Sequence, residues 1–183
     1  MVAKNYIFGR KYGTYFLTNL VAYYPLNSNA NDFSGKGYNG TAINWPTYGT
    51  GKISNAINFG NDANIRYFEV ADNNDFSFTN GTTDVPFTIA MWVNISAFSI
   101  TGSWFISKVG ATSGTSEWQF LFLGGRVSFA KFQFNNNAIY QQIATSTGAL
   151  PLNTWTHFVY TDNGSGAVGS GKMYRNGVLD TAI

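Results

Sequence analysis

Cysteine does not occur among the 183 residues of this chain. Its absence excludes a disulfide framework, a thiolate nucleophile and a cysteine-based zinc knuckle. Charge is scarce as well: Asp, Glu, Lys and Arg together make up 11% of the residues, against about a quarter in an ordinary soluble domain. The net charge is +2, and the Lys and Arg residues are scattered rather than gathered on one stretch. Nucleic acid is therefore not an expected partner, because capture of a phosphate backbone needs several cations on one face. No apolar run reaches the length of a membrane-spanning helix, so no membrane partner is expected either. Residues 1–10 lack the apolar centre and small-residue cleavage site of a secretory signal. There is one histidine, His157, and there are two glutamates, Glu69 and Glu117. Acid–base chemistry near neutral pH has few carriers here.

Aromatic residues take up much of what is left, at 17%, with 16 Phe and 11 Tyr. Phe, Tyr, Trp, Thr, Val and Ile suit pleated, half-buried surfaces, and the 20 glycines with many asparagines supply turns. The composition implies an all-β domain. Along Phe87–Ile95 the residues Phe87, Ile89, Met91, Val93 and Ile95 alternate with Thr88, Ala90, Trp92 and Asn94. That period of two marks a strand with one core face. Further strands are predicted at Leu20–Leu26, ending at Pro25–Leu26, and at Ala56–Phe59, Tyr67–Val70, Trp104–Lys108, Trp118–Leu123, Arg126–Phe132 and Trp155–Thr161. Gly124-Gly125 and Asn176-Gly177 lie between alternating runs and read as tight hairpins, since both pairs accept positive φ. No segment shows a helical period. Many short strands with turn signals between them imply a sandwich or barrel.

Several stretches in this order carry a resemblance: Leu20–Leu26, the loop Asn31-Asp32-Phe33-Ser34-Gly35 through Asn39-Gly40-Thr41, Phe87–Val93, Trp155-Thr156-His157-Phe158-Val159, and Met173-Tyr174-Arg175-Asn176-Gly177. Together they resemble the laminin G-like, concanavalin A-like jelly-roll domains. The resemblance implies an antiparallel β-sandwich over residues 21–183, preceded by residues 1–20 as an N-terminal extension or docking arm. Such domains usually continue past the Asn-Gly hairpin, so the expectation is either that the sequence is a fragment lacking the last strands or that something else fills their sheet position. The open sheet edge would then be covered by residues 1–20, by a copy of the chain or by another protein.

Candidate chemistry is sparse. His157 has no G-x-S-x-G serine elbow to serve, and in the resembling domains this position is structural, so a hydrogen-bonded strand histidine is expected. Glycoside hydrolysis needs two placed carboxylates, and neither Glu69 nor Glu117 lies in such a pattern. No catalytic residue is assigned. No cofactor is expected, except that calcium is weighed at Asp32, whose loop offers oxygen ligands. With Lys36 beside a single carboxylate, a turn-organising role for Asp32 is favoured. Sugar binding suits exposed aromatic faces beside amides. Trp104, Asn136, Tyr140 and Gln141 are the candidate glycan ligands, with Trp45 and Tyr48 also in or near loops. The expected function is a non-enzymatic surface module: a decoration or fibre protein on a virion, made in a host cytoplasm. It would bind other virion proteins or copies of itself and take part in glycan adhesion. The alternative is a free-standing lectin or the carbohydrate-binding module of a carbohydrate-active protein, in an extracellular setting.

Overall fold

The computed structural model describes residues 19–60, 65–78, 84–97, 102–110, 112, 115–132, 139–145, 150–167 and 169–180. The proposed docking arm therefore lies, but for residues 19 and 20, outside the described residues, as does Asn136. The described chain is all-β, with twelve strands and one 3-10 turn at Asn74–Phe76. No helix among the described residues is long and apolar enough to cross a membrane.

Two compact units are present: Met1–Asn73 with Met91–Val93, and Asn74–Ala90 with Asn94–Ile183. In the first, β1 (Thr41–Ile43) pairs antiparallel with β4 (Tyr67–Glu69), and β2 (Thr47–Thr50) with β3 (Asn55–Asn58). Its core gathers Leu26, Ala30 and Ile57, with Tyr24, Tyr48, Phe59 and Phe68 packed against them.

Leu20–Leu26, expected as a strand, is irregular. Its backbone groups are taken elsewhere: the Tyr23 N–H donates to the Asp32 carboxylate at 2.9 Å, and the Tyr23 carbonyl accepts from Phe33 N–H at 2.8 Å. Pro25 has no N–H for a ladder, and Leu26 turns at φ 54° to bury its side chain.

The second unit is a sandwich. One sheet has the order β12 (Val178–Leu179), β11 (Gly171–Arg175), β10 (Thr156–Asp162), β5 (Phe87–Val93), of which β5 contributes Phe87–Ala90 to this unit. The other has the order β6 (Ser103–Lys108), β7 (Trp118–Leu123), β8 (Arg126–Phe132), β9 (Ile139–Ala144). Both glycine-containing hairpins form as expected. Gly124 and Gly125 take φ of 60° and 80° between β7 and β8, and Asn176 and Gly177 take 50° and 82° between β11 and β12.

Alternation sends Phe120, Val127 and Phe129 from one sheet, and Phe158, Tyr160 and Met173 from the other, into a shared core where all are buried. Rings meet across it: Phe129 stacks on Tyr160 with centroids 3.9 Å apart, and Phe105 lies 6.4 Å from Phe158. Each such buried side chain stabilises by about 1.5–3 kcal/mol relative to exposure. Residues 139–144, where no strand is predicted from sequence, form the edge strand β9. Two neighbouring glutamines weaken a strand signal, but an edge strand tolerates them because half its backbone meets no neighbour. At the other sheet, β12 is a two-residue outer strand with exposed side chains.

Candidate functional site

Directly opposed residues of an antiparallel pair share a face. The register therefore sorts the sheet β6-β7-β8-β9 into two surfaces. Trp104 opposes Leu121, Leu121 opposes Ser128 and Ser128 opposes Ala144. One step along, Gln119 opposes Ala130, and Ala130 opposes Gln142. This is the face turned away from the sandwich core, since Phe120 and Phe129, their immediate chain neighbours, point inward.

On this face Trp104 is 60% exposed. Its indole N–H donates to Gln119 Oε1 at 2.9 Å, which fixes the ring's direction. Gln142 stands exposed on the far edge strand, and Leu121, Ser128 and Ala130 between are buried, so this face meets solvent at its edges and not at its centre. An exposed aromatic plane beside amide groups can stack on the apolar face of a sugar ring and hydrogen-bond its hydroxyls.

Of the sequence candidates, Trp104 and Gln141 are not brought together. Trp104 is on the expected strand, at one edge of the sheet. Gln141 is at the opposite edge, and its register partner is Lys131, on the core-facing side. Its amide N–H₂ donates to the Ala167 carbonyl at 3.0 Å and to Ser170 Oγ at 3.2 Å, so it anchors those two residues. Tyr140 belongs to β9. Gln142 and Gln119 share the Trp104 face, and period-two counting from Phe120 and Phe129 is the signal that could have selected Gln119.

Among the loop aromatics, Trp45 is exposed, at φ 50° next to Asn44 at 56°, and the Asn44 amide holds the Ile65 carbonyl at 2.7 Å. Tyr48 instead packs on the core of its unit, where burial pushes its phenol pKa up.

Asp32 organises its loop. One oxygen accepts from Tyr23 N–H at 2.9 Å and Ser34 N–H at 2.8 Å. The other accepts from Ser34 Oγ at 2.7 Å and Tyr38 N–H at 3.1 Å. Burial pushes its carboxyl pKa up, but these bonds outweigh that and hold it below the usual carboxylate range. A carboxylate has about four lone-pair directions, and four donors occupy them. Among the described residues no group of three His, Asp or Glu side chains is arranged to hold a metal ion.

His157 lies in β10, opposite the Asn-Gly hairpin. Its N–H donates to Asn176 Oδ1 at 2.9 Å, and its carbonyl accepts from Asn176 N–H at 2.8 Å. Burial lowers its imidazole pKa. Glu69 is exposed on β4. Glu117 accepts from Lys108 Nζ at 2.8 Å and from Ser77 Oγ at 3.1 Å through one oxygen.

Deeper in the second unit lies a group that the sequence reading did not single out. Lys131 Nζ is fully buried and donates to Asp84 Oδ2 and, at 2.8 Å, to Asp162 Oδ2. Asp162 also accepts from Tyr160 Oη at 2.7 Å, Ser170 Oγ at 3.2 Å and Gly164 N–H at 2.8 Å. Two glycines make the approach close enough. A Cβ on Gly164, at φ 74°, would lie 2.6 Å from Pro86 N, and one on Gly171 would lie 2.3 Å from the Tyr160 hydroxyl. A signal was present in the sequence: Val127, Phe129 and Lys131 share one strand face, as do Phe158, Tyr160 and Asp162. An opposite charge therefore sits on the apolar face of each strand.

Among curated proteins, none matches the chain. The binding domain of Paraclostridial Mosquitocidal Protein 1 is similar in structure, with a TM-score of 0.58 at 18% identity. The likeness covers 83% of this chain and 37% of that one, so this chain spans well under half the length of that protein's solved chain. A family model, Laminin_G_3, described as the concanavalin A-like lectin/glucanases superfamily, matches residues 59–182. With both sheets of the sandwich inside that match, the chain belongs to the Laminin_G_3 family of the concanavalin A-like lectin/glucanases superfamily.

Proposed function

We propose that this chain is a non-enzymatic binding module whose ligand is carbohydrate. The observation that supports it most is the exposed Trp104 ring, oriented by Gln119 on the outward face of the β6-β7-β8-β9 sheet. The ionisable groups that hydrolysis would need serve other ends: Glu117 holds Lys108 and Ser77, and Asp84 and Asp162 hold Lys131. A family that includes both lectins and glucanases is compatible with binding without turnover.

Glycan-array screening of the purified chain, followed by titration of the best ligand, tests this reading. Trp104→Ala should weaken binding about tenfold or more, as loss of an aromatic anchor does, with no change in melting temperature. Binding unaffected by that substitution would remove Trp104 from the site, and silence across a broad array would sink the carbohydrate reading. The reading includes no metal. Millimolar calcium should leave the melting temperature unchanged, and a rise of several degrees that Asp32→Asn abolishes would place a cation at Asp32.

The finer assignment is a decoration or fibre protein on a virion surface, meeting copies of itself or other virion proteins. The cysteine-free, low-charge composition rich in Gly, Asn and Thr supports it. Co-sedimentation with particles and a symmetric oligomer in solution are its expected signs. A monomer that binds a glycan alone would favour a free-standing lectin or an appended carbohydrate-binding module.

A further inference from the structure

We propose that Lys131 and Asp84 join in an intramolecular amide, an isopeptide cross-link between the two sheets of the sandwich, with Asp162 as the proton carrier. The geometry supplies what the reaction needs. Lys131 Nζ contacts Asp84 Oδ2, one bond from the carbon to be attacked, and lies 2.8 Å from Asp162 Oδ2. All three side chains are shut from water, at 0%, 1% and 0% exposure. The walls are aromatic: Phe129 stacks on Tyr160, and Phe87 lies 5.7 Å from the former and 5.5 Å from the latter.

The reaction begins with proton transfer along the hydrogen bond from Lys131 to Asp84, which gives a neutral amine, a nucleophile, beside a carboxylic acid, an electrophile. Held in contact, such a pair reacts as though at effective concentrations above about 10⁵ M.

The two aspartates are not equivalent. Asp162 is held by Tyr160, Ser170 and Gly164 in addition to Lys131. Converting it to an amide would remove an oxygen those donors use. Asp84 is therefore the acyl partner. Asp162 stays ionised at neutral pH: burial raises its pKa, but the bonds from Lys131, Tyr160 and Gly164 outweigh burial and lower it. A fixed carboxylate of this kind suits a shuttle.

The steps balance. Lys131 gives a proton to Asp84. The amine lone pair attacks Asp84 Cγ, forming a C–N bond and a tetrahedral adduct. Asp162 takes a proton from the nitrogen and returns it to the departing hydroxyl. The C–O bond breaks, water leaves, and Asp162 is a carboxylate again. Nothing is oxidised or reduced.

The product would tie β8 to the segment leading into β5, which belong to opposite sheets. Such a staple resists pulling and proteolysis, both of which a surface module meets. It does not depend on the carbohydrate reading.

The test is the intact mass of the purified, denatured chain. The expected result is a deficit of one water against the sequence mass, with a branched proteolytic peptide joining Lys131 to Asp84. Lys131→Arg and Asp162→Asn should each restore the full sequence mass. A wild-type chain at its full sequence mass overturns the proposal whatever the variants do, and so does a deficit mapped to any other residues. A deficit that persists in Asp162→Asn overturns the shuttle.

Discussion

Lys108 and Lys131 lie on one row of the same sheet: Lys108 opposes Trp118, and Trp118 opposes Lys131. Each meets a carboxylate at 2.8 Å. Their surroundings differ. Lys108 is on the edge strand β6, and its pair with Glu117 keeps 17% and 11% exposure, while Lys131 is on the interior strand β8 and keeps none. Glu117 comes from the neighbouring chain segment of the same sheet, whereas Asp162 comes across the core. The same two chemical groups thus become a local clasp in one place and a link between sheets in the other. Solvent access decides, because water competes for the first pair and cannot reach the second.

The strongest way to sharpen this contrast is to remove the buried lysine. Lys131→Met should cost about 3–5 kcal/mol in urea unfolding, because Asp84 and Asp162 would keep their burial and lose the nitrogen that holds them, whether as an ion pair or as an amide. A loss below about 1 kcal/mol would erase the distinction between the two lysines. Next in size is Tyr160→Phe, which removes a hydroxyl from a buried carboxylate and should cost about 2 kcal/mol. Lys108→Met should cost about 1 kcal/mol, with a salt dependence that the Lys131 site lacks.

Acid titration separates the regions further. Folding favours the ionised form of Asp162. Its contribution is therefore whole above about pH 4 and is lost as pH falls through the lower folded value. Asp162→Asn should flatten that part of the stability profile. The smallest effect belongs to His157, whose folded pKa is lowered by burial. Below about pH 6.5 the unfolded chain takes up this proton first, so stability declines with acid, and His157→Gln should remove that decline. No change in that window would mean the imidazole titrates alike in both states.

Much of the architecture was legible from local pattern. The alternation in Phe87–Ile95 gave β5, and Gly124-Gly125 and Asn176-Gly177 gave their hairpins, because a turn's backbone demands are met by the two residues inside it. Residues 139–144 were not legible as a strand, since Tyr-Gln-Gln carries little apolar alternation and the pairing comes from Phe129–Lys131 alongside. The Trp104 face was half legible: the exposed aromatic was named, but its companion Gln119 is 15 residues away in sequence and is set beside it by cross-strand register. Asp84 and Lys131 are 47 residues apart, and no local rule joins them.

From its residues alone, this chain had to be an antiparallel β protein with an aromatic core and little machinery for catalysis, because side-chain period, turn chemistry and composition act over a few positions. Which charges went under the core, which glutamine stood beside Trp104 and which lysine stayed in reach of water were settled only when the strands aligned and the two sheets closed. Those outcomes depend on register and on the exclusion of solvent, and both are properties of the packed sandwich rather than of any segment within it.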